Sequence, residues 1–258
     1  MLEYVLLGIL QGVTEWLPIS SKSQVMLSAV AFLGLSGLDA LKLSLLLHAG
    51  TVLAAVAYYR ETVWSLFLEL KNIKNTSQTF RFLFTSTAVT AVVALPLYLA
   101  YRGSFDVNNA RLLTAFIGLG LLATALLLHV RPKGLRKEKE LTWKDAAFAG
   151  LLQAFSVLPG ISRSGTSTAA LLWRNVSQDE ALRLSFLMSI SMVAAAQVAF
   201  FFIEGLPAIG WTEALVMVAS SFVAGYLSIE ALLRIARHVS FSWFCTGLGV
   251  LVLLSAVL

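Results

Sequence analysis

The sequence predicts an all-α polytopic membrane protein, with about six transmembrane helices and two re-entrant helical hairpins arranged as an inverted repeat. Of its 258 residues, 58% are hydrophobic and only 13% are charged. Soluble domains carry about 25% charged residues, so this composition cannot cover a water-facing surface. The other two observations behind the prediction are long, nearly uncharged runs and two polar, proline-containing interruptions of apolar sequence.

The long runs predict transmembrane helices, because each approaches or reaches the roughly 20 residues that a helix needs to cross the hydrocarbon core. They occupy residues 41–59, 82–100, 112–130, 184–203, 214–233 and 241–258. The whole chain, residues 1–258, is therefore expected to form a single integral membrane domain.

Lysine and arginine concentrate in alternate connections between these runs, at residues 60–81, 131–140 and 234–237. The connections at 33–40, 101–110 and 204–213 hold one Arg between them. Because basic loops stay in the cytoplasm, the sparse connections should face out. This topology accounts for the net charge of +5. No aromatic-basic motif accompanies the cations, so nucleic acid is not an expected partner.

The alternation of cytoplasmic and outward-facing connections holds only if residues 3–33 and 144–175 enter the bilayer and return to the side from which they came. Each segment contains a break, LPISSKSQ at residues 17–24 or LPGISRSG at 158–165. Irregular backbone at membrane depth is tolerated only where it is buried in protein or lines a wet cavity. Both segments are therefore predicted to be helix–break–helix hairpins.

Each half of the chain then contains one hairpin and three spans. Three is an odd number, so the halves, approximately 1–131 and 142–258, are predicted to be inverted relative to each other. Aligning Gln11 with Gln153 also superimposes the two breaks. Inverted repeats with paired broken helices form small-molecule sites near the bilayer midplane. The two breaks are therefore interpreted as one site.

The second break has the chemistry of an anion site. Pro159 and Gly160 should end one helix, and Ser164 and Gly165 should start the next, whose N-terminus attracts anions. Arg163 adds a planar fork that matches two phosphate oxygens, and Gly165 allows close approach to the backbone. The alternative is a serine-rich kink in which Arg163 extends to the cytoplasmic surface.

The first break offers a carboxylate instead. Glu15 lies far from any charged loop, so it should face a wet pocket or a cation, where it can act as a base or acid. The alternative is that Glu15 merely pairs with Lys22, the second cation of the site. Ser20, Ser21 and Ser23 should lie at the start of the following helix, and helix capping is as good an interpretation as catalysis.

His48 is the remaining candidate within a predicted span. Its place in LLLHAGT puts an imidazole among apolar residues, far from the basic connections. Such a histidine serves either as a proton carrier near the midplane or as a hydrogen-bonded packing residue. The sequence leaves both interpretations open.

Two motifs carry a resemblance to a known family. QGVTEWLPISSKSQ and LPGISRSGTST resemble the two signature motifs of the undecaprenyl-diphosphate phosphatases, the bacitracin-resistance family, and the similarity extends through LHAGTVLAAVAYYR and SFLMSI. The resemblance implies an integral membrane hydrolase that converts a polyprenyl diphosphate lipid carrier to its monophosphate. It also implies the re-entrant, inverted-repeat fold and a pocket open to the outer face of the plasma membrane. A divalent cation, Mg²⁺ or Ca²⁺, often accompanies that pocket.

The family motifs assign site residues, with two departures. The implied catalytic residues are Glu15, Ser21 and Arg163, and the implied phosphate-binding residues are Ser20, Lys22, Ser162, Arg163, Ser164, Gly165 and Ser167. The family usually has Glu where this chain has Gln11 and His where it has Gln24. An amide cannot act as base, nucleophile or good metal ligand, so Gln11 and Gln24 are given accessory roles. His48 is a third accessory candidate. Glu15, with phosphate oxygens, is the one suggested metal ligand.

The predicted function is hydrolysis of a polyprenyl diphosphate at the outer membrane face, for carrier recycling. Arg163, Lys22 and the amides at Ser164 and Gly165 would hold the phosphates, and Glu15 would activate water or Ser21. The rival is a non-hydrolytic polyprenyl-phosphate carrier or flippase, since inverted repeats suit alternating access. A purely structural membrane subunit would leave the charged breaks unexplained. A homodimer is left open.

Overall fold

The computed structural model describes residues 1–102, 110–129, 134–238 and 241–257. The predicted loop cations Arg131 and Lys133 and most of the predicted 101–110 turn lie outside the described residues. The described chain forms eleven α-helices and no β-strand. These are α1 (Leu2–Thr14), α2 (Ser21–Leu33), α3 (Gly37–Tyr58), α4 (Arg60–Glu69), α5 (Gln78–Arg102), α6 (Ala110–His129), α7 (Trp143–Ala154), α8 (Arg163–Trp173), α9 (Gln178–Glu204), α10 (Trp211–His238) and α11 (Phe241–Val257).

The predicted spans correspond to α3, α5, α6, α9, α10 and α11. The first five of these are long and apolar enough to cross a membrane. The sixth, α11, is apolar but has only 17 residues. The protein is therefore an all-α, multi-pass membrane protein, as predicted. Helix α4 was not predicted; it buries none of its residues, and Trp64 and Phe67 stack on its exposed surface.

Both predicted hairpins are confirmed as helix–break–helix units. Helix α1 ends at Thr14 and α2 begins at Ser21, while α7 ends at Ala154 and α8 begins at Arg163, after a short 3₁₀ turn. With 13 residues in α1 and 11 in α8, each arm is at most about 20 Å long at 1.5 Å per residue. That length is too short for a hydrocarbon core of about 30 Å, so no single arm can cross it, as the re-entrant prediction requires.

Helices of each half of the chain pack on helices of the other half, so the halves exchange packing partners. In the first hairpin α1 packs on α10, and in the second α7 packs on α5. Likewise α3 packs on α10, and α9 packs on α5. The last spans of the halves, α6 and α11, pack on each other, as do the first spans, α3 and α9. Such an exchange is expected of two related halves and supports the predicted repeat boundaries, which stay a prediction.

The second break is held against α6 by a glycine contact. Gly160 has a left-handed φ of 84°. A Cβ atom at this position would lie 2.4 Å from the backbone oxygen of Ile117. Only glycine accepts both the backbone conformation and the close approach. The break is therefore anchored to a transmembrane helix by its backbone.

A buried carboxylate closes the base of the second hairpin. Asp145, fully buried at the start of α7, accepts hydrogen bonds from Arg136 Nη2 at 2.9 Å, Arg174 Nε at 2.6 Å and the Thr142 N–H at 2.8 Å. Burial acts to raise the pKa of Asp145, but the hydrogen bonds from Arg136, Arg174 and Thr142 outweigh it. The pKa therefore lies well below its ordinary value of 3.8. Arg136 precedes α7 and Arg174 follows α8, so one carboxylate ties both ends of the hairpin.

Candidate active site

The two hairpin breaks line a single cavity that also extends between α3, α5 and α9. It encloses about 1250 Å³ of empty space, its open mouth included. His48 of α3 joins the polar residues of the breaks in its wall. Those residues are Glu15, Ser20, Ser21, Lys22, Ser156, Ser162, Arg163 and Ser164. The structure therefore brings the two breaks together at one site.

Two helices begin at this cavity. Ser21 and Arg163, the first residues of α2 and α8, both line it. Ser162 caps α8 by accepting from the Gly165 N–H at 3.2 Å. Ser20 has a left-handed φ of 59° and gives α2 no side-chain cap. The first N–H groups of a helix have no acceptor within the helix and lie at the positive end of its dipole. Two such ends at one cavity suit an anionic ligand.

Glu15 is the centre of the polar cluster. Its Oε2 atom accepts hydrogen bonds from Ser21 Oγ at 2.6 Å and Gln11 Nε2 at 2.9 Å, and lies 3.2 Å from His48 Nε2. Its Oε1 atom accepts from Arg163 Nη2 at 2.6 Å. The side chain is only 5% exposed. Two cationic or ionisable partners and two neutral donors therefore surround one buried carboxylate.

Arg163 faces the cavity rather than the cytoplasmic surface. Its side chain is 12% exposed, which contradicts the alternative of an arginine extended into water. Besides Glu15, it donates from Nη1 to the backbone oxygen of Ser185 at 3.0 Å. Its Nε atom is buried and has no hydrogen-bond partner among the described residues. The guanidinium is held in place and retains donor capacity for a ligand.

Lys22 joins the two hairpins. Its Nζ atom donates to the backbone oxygens of Ser156 at 3.1 Å and Val157 at 2.8 Å, in the other break. Glu15 pairs with Arg163 instead, so the alternative in which Glu15 merely neutralises Lys22 is wrong. An ammonium has three hydrogens, and two carbonyls leave one for a ligand. Lys22 is thus both a connector and a cation in the wall of the cavity.

Serine hydroxyls add further bonds between the breaks. Ser23 Oγ accepts from the Gly160 N–H at 2.8 Å and lies 2.9 Å from Ser20 Oγ. In the other direction, Ser164 Oγ donates to the Leu17 carbonyl at 3.0 Å. Each hairpin therefore bonds to the backbone of the other, so the polar wall of the cavity is assembled from both halves and held rigidly.

The apolar part of the cavity extends toward one side of the membrane. It follows residues 41–48 at the start of α3, and residues 90–98 and 192–203 toward the ends of α5 and α9. All three stretches lie next to the cation-poor connections that are predicted to face out. Large apolar side chains in this wall are Leu41, Leu45, Leu95, Met192, Phe200 and Ile203.

Comparison with known proteins identifies the family of this chain. Residues 4–251 match the family described as bacitracin resistance protein BacA. The chain belongs to this family. A protein named undecaprenyl-diphosphatase from Methanothrix thermoacetophila is 40% identical over 98% of this chain and 95% of its own length. Proteins with that name from Haloarcula marismortui and Methanopyrus kandleri are 39% and 40% identical over 97% of this chain and 96% and 94% of their own lengths. The resemblance seen in the two motifs is confirmed.

The two departures from the usual BacA motif lie in different surroundings. Gln11 is fully buried, lies one helical turn before Glu15 and donates a hydrogen bond to it. Gln11 does not line the cavity. Gln24 is half-buried and donates to the backbone oxygen of Ile19 at 3.2 Å, also outside the cavity wall. Of the three accessory candidates, only His48 lines the cavity. It lies in α3, outside both motifs.

Two predicted phosphate-binding residues lie behind the cavity. A Cβ atom at Gly165 would be 2.5 Å from Thr124 Cγ2. The absence of a side chain at Gly165 therefore allows α6 to pack closely and does not make room for a ligand. Ser167 Oγ donates to the Arg163 carbonyl at 2.8 Å and lies 2.7 Å from Ser185 Oγ. Neither residue lines the cavity, which corrects the direct contact with phosphate that was expected of them. Their contacts position α8 and Arg163.

Sequence reasoning missed one polar pair in the wall. Gln153 of α7 is fully buried, lines the cavity and donates from Nε2 to Thr90 Oγ1 of α5 at 3.1 Å. Its Oε1 atom has no partner among the described residues. The alignment of the two halves pairs Gln153 with Gln11, and Gln11 supports Glu15. That equivalence was the signal that could have identified Gln153.

The cavity wall does not fit a protein-held divalent cation. Both oxygens of Glu15 already accept hydrogen bonds, and Arg163 and His48 lie where a cation would have to approach them. No group of three His, Cys, Asp or Glu side chains in the described part of the chain converges on one point. Ca²⁺ takes six to eight oxygen ligands, and Mg²⁺ binds through one or two carboxylates and substrate phosphates. One carboxylate whose two oxygens already accept hydrogen bonds is a poor match to either cation.

Proposed function

We propose that this protein hydrolyses a polyprenyl diphosphate lipid, of the undecaprenyl type, to the monophosphate and inorganic phosphate. One observation carries the proposal: a single cavity combines a phosphate-type polar wall with an apolar wall between transmembrane helices. Relatives that bear the name undecaprenyl-diphosphatase over nearly the whole chain support it. A lipid that carries a diphosphate needs both walls, because its head group is anionic and its chain is apolar.

The polar wall binds the phosphates. The N-termini of α2 and α8 present backbone N–H groups, and Arg163 presents a charged, planar fork. The third hydrogen of Lys22 adds a further donor. These groups are fixed by hydrogen bonds before a ligand arrives, so they stabilise the charge that develops in phosphoryl transfer without reorganising.

Glu15 and Ser21 supply the base and the nucleophile. The 2.6 Å hydrogen bond from Ser21 Oγ to Glu15 Oε2 is the geometry of a nucleophile beside its base. Ser21 attacks the terminal phosphorus while Glu15 takes its proton. The bond to the bridging oxygen breaks, and the prenyl monophosphate leaves with the proton that Glu15 returns to it. Water then attacks the phosphoserine while Glu15 takes a proton from the water, and that proton passes to Ser21 Oγ as the phosphorus–Oγ bond breaks and phosphate leaves.

The site opens to the outer face of the plasma membrane in this proposal. The apolar wall lies along the helix halves nearest the cation-poor connections. Cysteines placed at Ser36 and Lys139, in a Cys245→Ser background, test this orientation in intact cells. An impermeant thiol reagent should label Ser36→Cys and spare Lys139→Cys. Labelling of both positions from outside would refute the topology.

The rival carrier function is less well supported. A carrier must move one half against the other, yet Arg163, Lys22 and Ser164 all bond across the two breaks. Binding without cleavage also needs no serine hydrogen-bonded to a carboxylate. A homodimer stays a prediction, and no observation of the described chain bears on it.

A phosphate-release assay decides between the two functions. Purified protein in lipid nanodiscs is given prenyl diphosphates of several chain lengths, and inorganic phosphate is measured. Release by the wild type, and its loss in Glu15→Gln, is the expected result. Saturable binding of the lipid with no phosphate release would overturn the enzyme in favour of the carrier.

A further inference from the structure

We infer that this protein works without a divalent cation, because groups of its own chain, among them the permanently charged Arg163, already occupy both oxygens of Glu15. The inference rests on the proposed function for its catalytic part. It concerns the cofactor of the site, and it departs from the Mg²⁺ or Ca²⁺ that the family resemblance implies.

The first step is the occupation of both oxygens of Glu15. Each carboxylate oxygen has about two lone-pair positions; three groups crowd Oε2, and the charged Arg163 lies on Oε1. The groups are Gln11 Nε2, Ser21 Oγ, His48 Nε2 and Arg163 Nη2, all between 2.6 and 3.2 Å. A metal ion would have to displace one of these donors and would then lie beside the others.

The second step concerns the hydrogens of His48. Its Nδ1 atom lies 2.6 Å from the backbone oxygen of Ser44, and its Nε2 atom lies 3.2 Å from Glu15. A carbonyl oxygen can only accept, so Nδ1 carries a hydrogen. One further proton must then lie between Nε2 and the carboxylate, because two lone pairs would otherwise face each other. That shared proton lies where a metal ion would have to approach Oε2.

The third step is the amide at Gln11. Gln11 directs its Nε2 hydrogens at Glu15 from one helical turn away, at 2.9 Å. A carboxylate at this position would repel Glu15 unless a cation lay between them. Gln11 adds a donor and no charge, so the pair lacks the second carboxylate that would help to bind a divalent ion. With Gln11 and His48 both against Oε2, a divalent ion finds no pair of carboxylates here.

The inference predicts how metal dependence can be introduced. In a Gln11→Glu/His48→Gln double variant, two carboxylates lie one helical turn apart, and the ring nitrogen that approaches Oε2 of Glu15 is gone. That variant should bind Mn²⁺, a spectroscopic probe for a divalent site, with one equivalent per chain. Gln24→Glu is the matched control: it adds the same charge to a side chain that bonds to the Ile19 carbonyl and not to Glu15, and it should bind no Mn²⁺.

The experiment combines two measurements on protein in nanodiscs made of uncharged lipid. Phosphate release from a prenyl diphosphate is followed with EDTA and with added Mg²⁺, and Mn²⁺ binding is followed by electron paramagnetic resonance without substrate. Wild-type release should change less than twofold with EDTA, and wild type should bind no Mn²⁺. The double variant should lose at least about tenfold in EDTA and recover with Mg²⁺.

A tenfold loss of wild-type release in EDTA that Mg²⁺ restores would overturn the inference, as would stoichiometric Mn²⁺ binding by the wild type. Failure of the proposed function looks different, because no phosphate would then be released under any condition. The Mn²⁺ measurement needs no turnover, so it tests the charge arrangement around Glu15 in that case as well.

Discussion

The two hairpin breaks occupy equivalent places in the two halves of the chain, yet only the first carries a carboxylate. The break after α1 provides Glu15 and Ser21 beside the cation Lys22, whereas the break before α8 provides the cation Arg163. Helix α8 is capped by Ser162, whereas α2 begins without a side-chain cap. In the proposed mechanism the two breaks thus form a base side and a cation side of one cavity.

The comparison also explains why the site needs both halves. A buried carboxylate or a buried guanidinium alone is costly in lipid, and each is tolerated here because the other lies 2.6 Å away. In the proposed mechanism the ligand binds to the remaining donors of Arg163, and this ion pair stays in place. The base side should therefore control the rate of hydrolysis, and the cation side should contribute to both binding and rate.

Glu15→Gln should have the largest effect, because it removes the base and nearly preserves volume. General-base catalysis is typically worth 10²–10⁴-fold, so phosphate release should fall at least about a hundredfold. Binding of the prenyl diphosphate should change little or tighten, since a negative charge is lost. Single-turnover phosphate release and lipid binding measure the two effects separately. A loss confined to binding would mean that Glu15 only positions Arg163.

Arg163→Lys should have the next largest effect. The substitution keeps the charge and loses the fork, which is worth about 2–4 kcal/mol in a partly dry pocket. Phosphate release should fall about thirtyfold or more, with weaker lipid binding as well. Steady-state kinetics across substrate concentrations gives both parameters. Near-normal kinetics would show that any cation suffices on this side of the site.

Lys22→Met should have a smaller effect, chiefly on binding. It removes one cation from the cavity and the two bonds to the backbone of the second break. Hydrogen bonds from charged groups contribute about 1.5–3 kcal/mol, part of which goes to holding the hairpins together. We expect KM to rise about three- to tenfold and the melting temperature to drop. An equal loss in kcat with KM unchanged would instead assign Lys22 to the transition state.

Asp145→Asn should have the smallest effect on hydrolysis, within about twofold, because the residue lies at the base of the hairpin. Its effect should be on stability. Since the folded-state pKa of Asp145 lies below 3.8, the ionised group stabilises the fold above about pH 4, and this stabilisation is lost as pH falls through the folded value. The melting temperatures of wild type and variant should therefore differ at neutral pH and converge in acid. A difference that does not depend on pH would point to packing.

The sequence alone determined the parts that the bilayer dictates locally. Apolar runs, basic connections and two polar breaks predicted the spans and the hairpins, because a lipid solvent penalises every exposed charge and backbone group. Family motifs gave Glu15, Ser21 and Arg163, and the structure places all three in the cavity. The short helix α4 escaped prediction, because it neither spans the membrane nor follows a break.

Only the tertiary structure decided which side chains meet. His48 reaches Glu15 from another helix, Lys22 bonds to carbonyls 134 and 135 residues away, and Gln153 meets Thr90 across α5 and α7. Gly165 and Ser167 belong to the motif but face α6 and α9. A motif contains residues that are near each other in the chain, whereas the cavity forms where helices of both halves of the chain pack together. Side-chain direction there depends on helix rotation and close packing, which no local pattern encodes.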